Sequence, residues 1–192
     1  MDQELEDLVR RSKSGEVREG EIQKIATILA DGSAGRDTYK LLYVLGKCES
    51  FFHEELVASF LSYENDPMVA RLALQILCSY WGLVEKYKDY LAEFLSGVHW
   101  DVMGDVRAAA ITIAGDYLRS HNDADLLAQL LSIAERGTER LERRFAVEAV
   151  ATALGESISE VLNTKRRSDW ETWAQHVVER GRVRLQSEQR TN

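Results

Sequence analysis

Proline is nearly absent from this chain of 192 residues: Pro67 stands alone, and the 12 glycines occur singly. Breakers so few and so scattered exclude a long linker and punctuate a chain of many short helices. Cysteine is equally scarce. Cys48 and Cys78 are the only two, and they do not form a CxxC pair. That excludes a disulfide scaffold and a cysteine-ligated zinc site, and leaves two reduced thiols, as expected of a cytoplasmic protein. No apolar run approaches the ~18 residues of a membrane span. The opening Met1-Asp2-Gln3-Glu4-Leu5-Glu6-Asp7 has no basic stretch followed by an apolar one, so neither a membrane segment nor Sec-type export is expected. A glycine-rich phosphate loop, a GxSxG elbow and a lysine-centred nucleotide motif are all missing, and no catalytic activity and no cofactor are expected.

What is present is a globular mixture, 45% hydrophobic and 29% charged, which buries a core under a solvated surface and argues against wholesale disorder. At this length a single domain over residues 1–192 is expected. Thirty-two acids against 24 Lys and Arg set the net charge at −8, a balance that repels nucleic acid and anionic membrane and favours a basic partner protein. The charge is uneven. Residues 165–192 hold seven basic residues (Lys165, Arg166, Arg167, Arg180, Arg182, Arg184, Arg190) and four acids, which leaves this tail at +3 and the first 164 residues at −11.

Between the breaks, apolar residues recur every three or four positions, as in Val69, Ala73, Ile76, Leu77 and Tyr80, or Val106, Ala110, Ile113, Ala114 and Tyr117. That is the period of helices with one buried face, and no segment alternates with a period of two. The expected helices run over 2–13, 16–31, 36–48, 51–63, 67–82, 84–97, 104–120, 123–136, 139–155 and 168–184, with a short turn at 157–163. Asp66 can accept from the first free amides of its helix while Pro67 takes the first helical position. Ser157-Ile158-Ser159-Glu160 and Ser168-Asp169-Trp170-Glu171 have the spacing of capping boxes.

Self-similarity is the most informative feature. Asp66-Pro67-Met68-Val69-Ala70-Arg71-Leu72-Ala73 aligns with Val106-Arg107-Ala108-Ala109-Ala110 and with Glu142-Arg143-Arg144-Phe145-Ala146, and a weaker copy runs through Asp37-Thr38-Tyr39-Lys40-Leu41. With Leu41, Ala73, Ala110 and Ala146 as equivalents, the spacings are 32, 37 and 36 residues, a period that fits a two-helix repeat. The pattern Asp-Pro-x-Val followed by Val-Arg-x-x-Ala-Ala resembles the second helix of a HEAT repeat, over about residues 36–155. This resemblance implies an all-α fold: a short, right-handed HEAT-like α-solenoid of antiparallel helix pairs, whose second helices line a concave face. Residues 1–35 would then be N-terminal capping helices, and 156–192 a C-terminal capping helix with a basic tail.

Several side chains raise the question of chemistry. His53-Glu54-Glu55 is similar to the His-Glu pairs of HEAT-like di-iron hydroxylases, but it occurs once and no histidine lies four residues from another, so no metal site is expected. The two cysteines read as packing residues. His99-Trp100-Asp101-Val102-Met103-Gly104-Asp105 loosely resembles the Trp and Asp by which HEAT-like DNA glycosylases hold and hydrolyse alkylated bases, which makes Trp100, Asp101 and Asp105 the candidates for that alternative. The plainer reading is a Trp that anchors a loop and an Asp that caps the next helix. Trp170, Trp173 and Val177 share one face of the last helix, as in a capping helix packed on its neighbours. Arg180, Arg182 and Arg184 read as a solvated, partly frayed tail.

A binding face follows from the helical phase. With the apolar stripe turned inward, the positions two before, two after and six after each central Ala or Leu lie outward: Tyr39, Tyr43 and Lys47, then Arg71, Gln75 and Ser79, then Ala108, Thr112 and Asp116, then Arg144, Glu148 and Thr152. Side chains four apart on a helix are neighbours, so each triplet makes a stripe. Tyr39, Tyr43, Arg71, Gln75, Thr112, Asp116, Arg144 and Glu148 are therefore the expected protein-binding residues. The expectation is a non-catalytic module that binds a basic partner, one version being an acidic inhibitor. Bacterial toxin-immunity proteins are similar in size and charge.

Overall fold

The structure, a computed structural model, describes residues 2–137, 140–156 and 170–191, and every regular element among them is helical. The turn expected at 157–163, the capping box at Ser157–Glu160 and the Ser168 cap lie outside the described residues. None of the described helices is long and apolar enough to cross a membrane. The chain divides into two compact units: residues 1–90 with 99–106, and residues 91–98 with 107–192.

Unit 1 contains α1 (Asp2–Ser12), α2 (Glu19–Ala30), α3 (Thr38–Lys47), α4 (Glu54–Ser59) and α5 (Pro67–Leu74). Its core is built on α3, which packs against α1, α2 and α5 through Leu41, Leu42, Val44 and Leu45, all buried. As expected, Asp66 accepts from the Met68 amide at 3.0 Å with Pro67 at the first helical position. Two expected helices differ. Residues 51–63 break into a 3-10 turn, α4 and a second 3-10 turn; the tighter winding of the last piece carries the adjacent Phe60 and Leu61 both into the core. The helix expected over 67–82 is α-helical only to Leu74 and continues as a π-helix over Gln75–Tyr80.

Two contacts account for the π-helix. The Trp81 backbone amide donates to Ile76 O at 2.9 Å, and its indole Nε1 donates to Gly46 O of α3 at 3.0 Å. Gly46 has no side chain, and a Cβ there would overlap Ile76, so the segment closes onto α3 at this notch. The wider turn moves Tyr80 out of the apolar stripe. It is 39% exposed, which corrects its expected place in the core.

Unit 2 contains most of α6 (Lys88–Ser96) and of α7 (Asp105–Leu118), with α8 (Ala124–Arg136), α9 (Arg140–Ala153) and α10 (Trp170–Thr191). Asp123 caps α8 by accepting from the Leu126 amide at 3.0 Å. The backbones of α7 and α9 approach so closely at Gly115 that a Cβ would lie 2.8 Å from Ala149. In the repeat register Gly115 corresponds to Gly46, and Ala149 to Ile76. The same notch therefore recurs in both units.

A second repeated device is specific to unit 2. Arg107 Nε donates to Leu95 O near the end of α6 at 3.0 Å, and its guanidinium meets Glu142 at 3.0 Å. Arg143, its equivalent 36 residues on, donates to Ala134 O near the end of α8 at 3.2 Å and forms a two-pronged pair with Glu171 at 2.9 and 3.0 Å. Each arginine neutralises carbonyls at the negative end of the preceding helix and ties that end to a later helix, α9 for Arg107 and α10 for Arg143.

Helix α10 packs on α8 and α9, burying Trp173, Ala174 and Val177; Gly181 admits Leu131 and Val150, whose side chains a Cβ would meet at 2.8 and 2.9 Å. The frayed tail is corrected here. The helix runs to Thr191, and its arginines are held: Arg180 by Glu156, Arg182 by Glu135 at 2.8 Å, and Arg184 by Glu188 at 2.6 Å. Arg184 also donates to Ala153 O at 2.6 Å and to His121 O at 2.8 Å. Glu188 of the same helix, with acids and carbonyls on neighbouring elements, thus takes up charges that composition alone assigns to solvent.

Candidate functional site

The eight residues expected to bind are solvent-accessible in both units. In unit 1, Tyr39 is exposed and Tyr43, Arg71 and Gln75 are half-buried; in unit 2, Thr112, Asp116 and Arg144 are exposed and Glu148 is half-buried. The helical phase explains this. Leu41, Leu42, Val44 and Leu45 on α3, and Ala146, Val147, Ala149 and Val150 on α9, take the inward side, so positions four apart on the opposite side remain outward.

On unit 1 the row is drawn together by a cation. Lys47, one turn beyond Tyr43, places Nζ 3.7 Å from the Tyr80 ring centroid and 5.8 Å from that of Tyr43, an arrangement favoured by the negative faces of the rings. Arg71 Nη1 lies 3.9 Å from Met68 Sδ and 3.9 Å from Asp105 Oδ1. The result is a tyrosine-rich face with two cations, formed by α3, α5 and the π-helix.

On unit 2, Arg144 Nε pairs with Glu148 Oε1 at 2.8 Å, and its guanidinium lies 5.8 Å from the Trp170 ring. Thr112 Oγ1 turns back to donate to Ala108 O at 3.1 Å. Leu141 and Phe145, one turn apart on the same helix as Arg144, are exposed. This face is mixed in charge and carries an apolar stripe.

The Lys47–Tyr80 contact and the Asp105 partner of Arg71 have no counterpart in the sequence reading. Lys47 stands in the outward row, but Tyr80 is assigned inward as long as the segment is treated as α-helical. No periodicity signals the switch to π geometry.

The side chains that suggest chemistry are placed otherwise. Burial raises the Cys78 thiol to about 12, and burial together with Glu19 and Glu21 raises that of Cys48, so neither is activated as a nucleophile. His53 is buried beside the edge of Phe52, whereas Glu54 accepts from Tyr87 Oη at 2.5 Å and pairs with Lys86 at 2.6 Å. Those two donors hold the Glu54 carboxyl below its ordinary range, and the His-Glu pair is divided between separate roles. Among the described residues no three His, Cys, Asp or Glu side chains group as metal ligands. Trp100 is half-buried, Asp101 is buried, and Asp105 sits beside Arg71. Comparison with protein-family models, with curated proteins and with solved structures gives no match to this chain.

Proposed function

We propose that the chain is a non-catalytic protein-binding module whose helix pairs stack, within each unit, in the manner of a HEAT-like α-solenoid, and that the outward rows of the second helices make the contact. The observation that carries this reading is the repeat register itself. Equivalent positions form the same notch at Gly46 and Gly115 and the same arginine clamp at Arg107 and Arg143, and the row kept outward by that register is rich in Tyr and Arg, which are over-represented where interface energy concentrates. The partner is a basic protein. Eighteen acids against 11 Lys and Arg give unit 1 a net −7, while unit 2 carries −1, and such a field speeds capture of a positively charged partner. An acidic inhibitor, such as a toxin-immunity protein, is the concrete form of the reading.

The test is to pass a nuclease-treated native extract over the immobilised protein, first at low and then at moderate salt. A stoichiometric basic protein that leaves as salt rises supports the module. The combined Tyr43→Ala, Arg71→Ala and Glu148→Ala variant should then bind more weakly while keeping its helical circular-dichroism spectrum. Unchanged affinity would remove these rows from the interface.

The glycosylase alternative, with Trp100, Asp101 and Asp105, draws less support. Asp101 is 9% exposed, Asp105 faces Arg71, and Arg107, Arg143, Arg180, Arg182 and Arg184 are held by internal acids and carbonyls, whereas a DNA-holding channel needs cations turned toward phosphate. A mobility shift with alkylated or abasic duplex would reinstate it.

A further inference from the structure

We infer that the face of unit 1 formed by α3 and the π-helix is a docking site that reads one acidic side chain, an Asp or Glu set among basic residues of the partner protein, by receiving its carboxylate at Lys47. The inference rests on the protein-binding reading and specifies what one of its faces recognises.

Three observations converge on it. Lys47 is positioned by π-faces: its ammonium stands 3.7 Å over Tyr80 and 5.8 Å from Tyr43. No carboxylate pairs with it among the described residues. An ammonium has three donors, and a ring face takes up part of that capacity, so the remainder is directed to whatever covers the face.

The second observation is charge placement. Unit 1 is acidic by seven charges, yet Tyr39, Tyr43, Lys47, Gln75, Ser79 and Tyr80 include no acid. Lys47, with Arg71 the second cation of this face, is a positive spot in a unit of net −7, the inverse image of a carboxylate within a basic segment. An arrangement of that kind fixes register as well as attraction, because a partner shifted along the face would set like charges against each other.

The third is the backbone. A π-helix over Gln75–Tyr80 is rare, and such turns are frequent at functional sites. Here its effect is to deliver Tyr80 to Lys47 instead of to the core. Tyrosines also supply large, rigid contact area with little conformational entropy to lose.

The probe is a pair of synthetic lysine-rich 12-residue peptides (about 12, short enough to span one helix face), identical except for a central Glu or Gln, titrated into the full chain and followed by calorimetry and amide NMR. The Glu peptide should bind about three- to fivefold more tightly than the Gln peptide, the range of a partly exposed ion pair, and should perturb the amides of Tyr43, Lys47, Ser79 and Tyr80. That advantage should vanish in Lys47→Gln and shrink in Tyr80→Leu, each checked for a native melting transition.

Equal binding of the two peptides overturns the inference and leaves the basic-partner reading standing, as does an advantage that persists in Lys47→Gln. Failure of both peptides to bind overturns both. A single-stranded oligonucleotide that binds through Lys47 more tightly than the Glu peptide assigns the site to phosphate and overturns it as well.

Discussion

Two glycines, both helical, sit in opposite surroundings. At Gly115 an added methyl would press on the backbone of Ala149 at 2.8 Å, and backbone cannot rotate aside as a side chain can. Gly115→Ala should therefore destabilise by about 1–3 kcal/mol, despite the better helix propensity of alanine. At Gly20 a Cβ meets nothing within 4 Å, so Gly20→Ala should stabilise by up to about 1 kcal/mol. Urea unfolding of the two variants beside the parent decides both, and a neutral Gly115→Ala would mean that α7 and α9 can separate without loss. The thiols offer an independent check at this scale. With Cys78 raised to about 12 by burial, alkylation of the native chain by iodoacetamide at pH 8 should be far slower than alkylation of the chain in urea, a contrast read directly by mass spectrometry.

The Glu54–Lys86–Tyr87 cluster joins α4 to the turn before α6, and the signs of its shifts set a pH window. Glu54 is lowered by its hydrogen bonds from Lys86 and Tyr87, so its contribution is complete above the ordinary Glu value of about 4.3 and is lost as pH falls further. Tyr87 is raised, by burial first and by Glu54 second, so its contribution is complete below the ordinary Tyr value of about 10 and is lost as pH rises beyond it. Tyr87→Phe should remove part of the alkaline loss of stability, and a melting temperature with the same alkaline slope in both proteins would exclude this account. In the helix pairs of unit 2, Arg107→Ala and Arg143→Ala should each cost about 1–2 kcal/mol, since each strands a helix-end carbonyl and an acid; a cost near zero for both would reduce the clamps to solvated contacts.

These devices also mark where sequence reading stops. Helices α3, α5 and α7 to α9, and the outward phase of the row, were legible because the apolar stripe at Val69, Ala73, Ile76 and Leu77 recurs at helical spacing whatever lies around it. The π-helix was not, since the same stripe extends through Tyr80 for either winding and the difference lies in the Gly46 notch 30 residues away from Ile76. The arginine clamps were equally hidden, because a carbonyl acceptor has no residue type by which to recognise it.

Taken whole, the chain separates its tasks unevenly: most of the negative charge belongs to unit 1, while in unit 2 Arg107, Arg143, Arg180, Arg182 and Arg184 are held in internal pairs. A basic peptide should accordingly perturb amides of unit 1 in preference to those of unit 2, with an association rate that falls from low to moderate salt as the field is screened. Perturbations spread evenly over both units would contradict that division. The arginine clamp has a further consequence. Arg107 and Arg143 address main-chain oxygens, present at every helix end, and the acid that closes each clamp comes from the first turn of a later helix, α9 for Arg107 and α10 for Arg143. A tandem copy of residues 107–142 spliced in after Glu142 would give each new arginine a carbonyl behind it and an acid ahead. If the clamps are what join these helices, the chain lengthened in this way should still unfold in one cooperative transition, which a melting curve would check.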